Sequence, residues 1–99
     1  MAELSTLARP YAKAAFAYAR EHSALPQWSE QLLTAAAVTA DVAMAAVLTN
    51  PSLTNEQRAQ TLVDVCGDVL GVEVKNFISI LAANKRLALL PEISSQFEL

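Results

Sequence analysis

Apolar positions recur along this chain every three or four residues, and no stretch alternates polar with apolar residues for long enough to make a strand. The pattern predicts an all-α fold, a compact six-helix bundle. From Leu4 to Glu21 the spacing of Leu4, Leu7, Tyr11, Ala14 or Ala15, and Tyr18 is that of a first helix, with Pro10 inside it as either its true start or a bend. Pro26 suits the first turn of a second helix, because proline's missing donor is harmless there. Trp28, Leu32, Leu33, Ala36 and Val38 carry that helix to about Thr39. Asp41 is placed to cap a short third helix through Leu48, which Asn50-Pro51 ends. Thr54 and Gln57 have the spacing of a capping box and open a fourth helix, with Ala59, Leu62, Val63, Cys66 and Val69 as its buried stripe. Gly67 and Gly71 mark where it frays and stops. A fifth helix runs from about Val72 to Asn84, and a last segment holds Leu87, Leu90, Ile93 and Phe97, bent or restarted at Pro91. Its apolar pattern is still running at Leu99 with no stop signal, which reads as a truncation with more polypeptide downstream.

Two of these helices carry more apolar surface than one core needs. On a wheel of the first helix, Ala8, Ala12, Ala15, Ala19 and Phe16 share one arc. Leu4, Leu7, Tyr11, Ala14 and Tyr18 occupy the adjoining one. Together they cover about 200°, against a stripe of about 100° for an ordinary surface helix. In the fifth helix Val74, Phe77, Ile78 and Leu81 cluster, while Asn76, Ile80 and Ala83 fall on a separate face. If both second faces line one groove, an amphipathic helix from another protein fits between them. Small bundles also bury helices on several sides, and periodicity alone leaves both readings open. Trp28 reads as a core or boundary residue before a contact.

Composition narrows the partner. Hydrophobic residues make up 54 % of the chain and charged residues only 17 %, so part of the apolar excess is expected to cover an interface. A formal charge of −3, with no basic cluster beyond Lys85-Arg86, argues against nucleic acid. The longest stretch free of charge, Val42 to Asn55, contains Pro51 and falls short of the roughly 20 residues of a bilayer span, so no direct membrane insertion is expected. The start, Met1-Ala2-Glu3-Leu4, lacks the basic and apolar regions of a signal peptide. A single cysteine excludes an internal disulfide and fits a reducing compartment.

Chemistry-bearing residues are few. His22, at a helix end, and Cys66, within an apolar stripe, have no partner near in sequence to activate them. His22 reads as a favourable neighbour for helix carbonyls and Cys66 as a small core hydrophobe. Asp64 and Asp68 stand four apart, as on one solvated helix face. No phosphate loop, zinc spacing or calcium loop occurs, and the expectation is no catalytic residue, no metal and no cofactor.

Three segments carry a family resemblance: Leu7-Ala8-Arg9-Pro10-Tyr11-Ala12-Lys13-Ala14-Ala15-Phe16, the Asn76-Phe77 pair, and Ala83-Asn84-Lys85-Arg86-Leu87-Ala88-Leu89-Leu90-Pro91-Glu92. The chain resembles, over its whole length, the delta subunits of bacterial F-type ATP synthase, the family that includes the mitochondrial oligomycin-sensitivity-conferring protein. The resemblance implies that residues 1–99 are the six-helix N-terminal domain, with the family's C-terminal region, which holds the peripheral-stalk b subunit, absent. It implies a groove for the N-terminal helix of an α subunit, with Tyr11, Ala14, Ala15 and Tyr18 on one wall, Asn76, Phe77, Ile80 and Ala83 on the other, and Lys13 and Arg86 at its polar rim. The implied function is a non-catalytic stator component that links the catalytic head to the peripheral stalk during proton-driven ATP synthesis. The implied location is peripheral, on the cytoplasmic face of the bacterial inner membrane. An unrelated helical adaptor that binds some other amphipathic helix, and a small enzyme, are the competing readings. Many members read Glu-Asn-Gly-Arg-Leu where this chain has Ala83-Asn84-Lys85-Arg86-Leu87. Lys85 stands in place of a glycine suited to a left-handed helix stop, so Asn84 is expected to take that conformation.

Overall fold

The computed structural model describes residues 3–99, so the start read for a signal peptide lies partly outside the described residues at Met1 and Ala2. Six α-helices follow in order: α1 Leu4–Glu21, α2 Leu25–Thr39, α3 Val42–Leu48, α4 Asn55–Cys66, α5 Val72–Ala83 and α6 Leu90–Phe97. Short 3₁₀ turns at Gly67–Val69 and Leu87–Leu89 lead into α5 and α6.

Local chemistry accounts for most of these boundaries. The Asp41 carboxylate accepts from the backbone N–H groups of Ala43 and Met44 and so caps α3. The Thr54 side chain accepts from the Gln57 N–H at 3.0 Å while Gln57 Oε1 accepts from the Thr54 N–H at 2.9 Å, a complete capping box. Pro26 and Pro91 both lie in first turns, so Pro91 restarts the chain as α6. Of the two readings of Pro10, a helix start is not what the structure has, and the proline lies inside α1. α1 is assigned continuously from Leu4 through it, since the bundle packing of the residues on either side outweighs one lost backbone bond.

Three sequence expectations change. Gly67 has φ +72° and ψ −148°, a conformation that L side chains rarely adopt, and it ends α4. Val69 is therefore exposed beyond the helix, and Leu70 takes the buried place instead. For the same reason Asp68 sits in the 3₁₀ turn and shares no helix face with Asp64, whose carboxylate accepts from Gln60. On α2, Leu33 faces solvent, and Ala35 is buried beside Leu32 and Ala36.

The core runs through all six helices, with Leu32, Leu62, Ile78, Leu81, Leu90 and Ile93 wholly inaccessible. α6 is the central strut, packed against α1 on one side and α2 on the other, while α4 packs on α5 and α2. The radius of gyration of 12.6 Å is that of one compact body of this length, about 13 Å. On α1 the buried residues are Ala8, Ala12, Ala15 and Ala19, a seam of small side chains that lets the helix lie close to its neighbours. No single helix among the described residues is long and apolar enough to cross a membrane. α2 and α3 together would pass by length and composition, but they bend by 86°, and α2 buries Trp28, Leu32, Ala35 and Ala36 in the core.

Candidate helix-binding groove

α1 and α5 are not a packed pair. Between them lies a groove of about 280 Å³, lined by Ala14, Ala15 and Tyr18 from α1 and by Glu73, Asn76, Phe77 and Ile80 from α5, with Trp28 of α2 at its floor. Three aromatic rings form a ladder across it. Tyr18 and Trp28 have centroids 5.6 Å apart, and Trp28 meets Phe77 edge to face at 5.7 Å. Trp28 is 5 % exposed and Phe77 9 %, so these two form the base. Tyr18 and Ile80, at 38 % and 55 %, stand up as the walls. Ala14 is exposed and leaves a gap where a larger side chain would fill the space.

Both walls are fixed at their ends. The start of α5 is tied to α2, where Gln31 Oε1 accepts from the Gly71 N–H at 2.7 Å. Its far end closes in a double bond pattern: the Arg86 N–H donates to the Leu81 carbonyl at 2.7 Å and the Lys85 N–H to that of Ala82 at 3.0 Å. The residue that takes the left-handed conformation is Lys85 itself, at φ +59°, while Asn84 stays at φ −91°. The sequence expectation for Asn84 is thus corrected. The hydrogen bonds of this motif demand the positive φ one residue past the helix cap, so the lysine bears it. α1 ends the same way, with Ser23 at φ +52° and the Ala24 N–H donating to the Ala19 carbonyl at 2.8 Å. His22 caps this end: its Nδ1–H donates to the Tyr18 carbonyl at 2.8 Å, and its ring stacks on Tyr18 at 3.9 Å.

Six of the eight residues implied as groove walls come together: Ala14, Ala15, Tyr18, Asn76, Phe77 and Ile80. Ala15, only 2 % exposed, belongs to the core seam as well and contributes the shoulder of the groove. Tyr11 lies outside this lining, one turn before Ala14 and Ala15, half-buried against the core. Ala83 borders a different hollow between α4 and α5. The two rim charges do not gather here either. Lys13 lines a groove on the opposite side of α1, and Arg86 is half-buried in the turn that closes α5. The sequence reading overlooked Glu73, the one charged residue in the lining, although it sits one turn ahead of Asn76 and Phe77 on the same helix.

Nothing in the groove is arranged for bond chemistry. Cys66 is buried on α4, and burial pushes its thiol up from the usual range, which keeps it protonated and unreactive at neutral pH. Among the described residues no three histidine, cysteine, aspartate or glutamate side chains converge as a metal site.

The helical bundle thus leaves an apolar, aromatic-floored groove between two helices, of a shape into which an amphipathic helix fits. Residues 7–99 match the family model described as ATP synthase delta (OSCP) subunit. The chain is 56 % identical over 99 residues, all of this chain and 56 % of the relative, to the protein named ATP synthase subunit delta of Teredinibacter turnerae. It is 50 % identical over 97 residues, 98 % of this chain and 54 % of the relative, to the protein of the same name from Alcanivorax borkumensis. The chain belongs to the ATP synthase delta (OSCP) subunit family. It spans about half the length of these curated relatives. Family membership sets aside the reading as an unrelated adaptor.

Proposed function

We propose that this chain is a non-catalytic stator component of an F-type ATP synthase, and that its α1/α5 groove grips the N-terminal helix of an α subunit. The observation that carries the reading is the gap itself: two helices that do not pack on each other, spaced by a buried tryptophan, with Tyr18 and Ile80 left standing at its edges. An amphipathic helix laid there sets its apolar i, i+3, i+4 and i+7 residues between Ala14 and Ile80. Glu73 at the rim favours a basic residue beside that stripe.

A stator transmits load. It holds the head's αβ ring against co-rotation with the central shaft, so its contact with the head must dissociate slowly. An interface of buried aromatic and aliphatic anchors does this better than exposed charge pairs, since most affinity differences between related complexes lie in the off-rate. The groove walls suit this task, being tied to α2 by Gln31 and closed at their ends by backbone hydrogen bonds. In this reading the b subunit of the peripheral stalk is held by a C-terminal region outside these 99 residues. The assembly places the domain peripherally on the cytoplasmic face of the bacterial inner membrane through protein contacts.

Titration with a synthetic peptide of the α-subunit N-terminus, followed by Trp28 fluorescence and amide chemical shifts, tests this. Saturable binding with shifts centred on α1 and α5 is expected. Absence of binding, or shifts confined to other helices, overturns the assignment of the groove.

A further inference from the structure

The other side of α1 carries a second groove of different chemistry, about 550 Å³ in volume, between α1 and α6. Arg9, Lys13 and Arg20 line it, three of the seven basic residues in a chain whose net charge is −3. They stand along one stripe of α1 over roughly 16 Å of helix. The floor beneath them is apolar: Ala12, Phe16 and Phe97, the two phenylalanines meeting edge to face at 5.4 Å. The Arg20 guanidinium lies 6.0 Å above the Phe16 ring. Glu92 is the one acidic side chain in the lining, which Leu99, the last of the 99 residues, also borders; the Glu92 Oε1 accepts from the Gln96 amide at 3.3 Å. Among the described residues no carboxylate forms an ion pair with any of the three cations.

From this charge pattern we infer that the α1/α6 groove is a second docking surface, whose occupant is an acidic amphipathic helix of a partner protein. Such a segment sets its apolar stripe on Phe16 and Phe97 and its carboxylates against Arg9, Lys13 and Arg20. An apolar floor with a predominantly basic rim, three cations against the Glu92 carboxylate, favours both features at once, and neither a neutral helix nor a cationic one satisfies it as well. The surface is on the far side of α1 from the groove assigned to the α subunit, so both are open to occupation together, and its failure leaves that assignment untouched.

The probe is a fluorescein-labelled synthetic peptide of about fifteen residues, with leucines at helical three-four spacing and glutamates flanking them, titrated into the 99-residue chain. Expected are saturable anisotropy, about tenfold weaker binding when salt rises from about 50 to about 500 mM, and loss of at least about tenfold in the double variant Arg9→Glu and Lys13→Glu. Ile80→Asp, in the other groove, leaves it unchanged, and circular dichroism confirms that each variant is folded. A scrambled peptide of the same composition that binds equally well, binding that survives the charge reversal, or chain binding to anionic vesicles without binding to the peptide overturns the inference.

Discussion

The two sides of α1 are made from one 18-residue helix, yet they differ in almost everything a partner would feel. Towards α5, Ala14 and Tyr18 stand over Trp28, and the groove is apolar apart from Glu73 at its rim. Towards α6, Arg9, Lys13 and Arg20 stand over Phe16 and Phe97. The alanine seam between them is shared by both. The comparison shows how one helix serves two surfaces: small residues are spent on the side that must come close, leaving the flanks free to diverge in charge.

Breaking the shared seam should have the largest effect. Ala15→Asp places a charge at a site only 2 % exposed and is expected to cost about 4 kcal/mol or more, enough to unfold the domain in a urea melt and remove both surfaces together. Phe97→Ala, on the α6 side, should cost about 3 kcal/mol by cavity formation, read from the shift in denaturation midpoint, and leave the Trp28 environment intact if the two grooves are independent. Ala14→Asp is the sharper test of the α5 side. Ala14 is exposed, so stability should change by less than about 0.5 kcal/mol while binding of the α-subunit peptide falls at least about tenfold. Loss of fold there would show that Ala14 belongs to the core. Gln31→Ala removes the acceptor that anchors the Gly71 N–H and should cost about 1 kcal/mol, with faster amide exchange confined to the start of α5. Lys85→Gly should stabilise by about 1 kcal/mol, because glycine adopts the positive φ of that turn without strain. A neutral or destabilising result in thermal denaturation would show that the lysine side chain contributes contacts that offset its backbone.

What the sequence made legible was local. The Thr54–Gln57 capping box, the Asp41 cap and the first-turn Pro26 are decided within a few residues of themselves, and each appears in the structure as expected, while Pro91, left open between a bend and a restart, restarts the chain. The helical wheel also separated the buried Ala8–Ala12–Ala15–Ala19 seam from the exposed Ala14 and Tyr18. It could not say what lies opposite, since angular position carries no information about which helix comes near. Pairing α1 with α5 came from family resemblance, and the tryptophan that keeps them apart comes from α2, at a separation no periodicity records. Tyr11 and Ala83, implied as walls by the resemblance, lie outside this lining, since the groove has a finite length along each helix and a wheel collapses that length to nothing. Glu73 shares the wheel face of Phe77 and Ile80 and was passed over because only apolar positions were followed. Val69 and Asp68 failed differently, because the stop at Gly67 is abrupt where a smooth fraying had been expected.

The alanine seam of α1 has a mechanical consequence. A row of identical small side chains is smooth, so it draws the helix in without fixing it lengthwise, and a slip of one turn, about 5.4 Å, would exchange alanine for alanine over much of its length. Axial position must be set by pegs. The Gln96 amide donating to the Ser5 carbonyl at 2.8 Å and the Phe16–Phe97 contact pin α1 to α6 near its start and toward its far half. When a pull runs along α1, these two contacts bear the shear, and the helix behaves as a sliding bolt held by its latches.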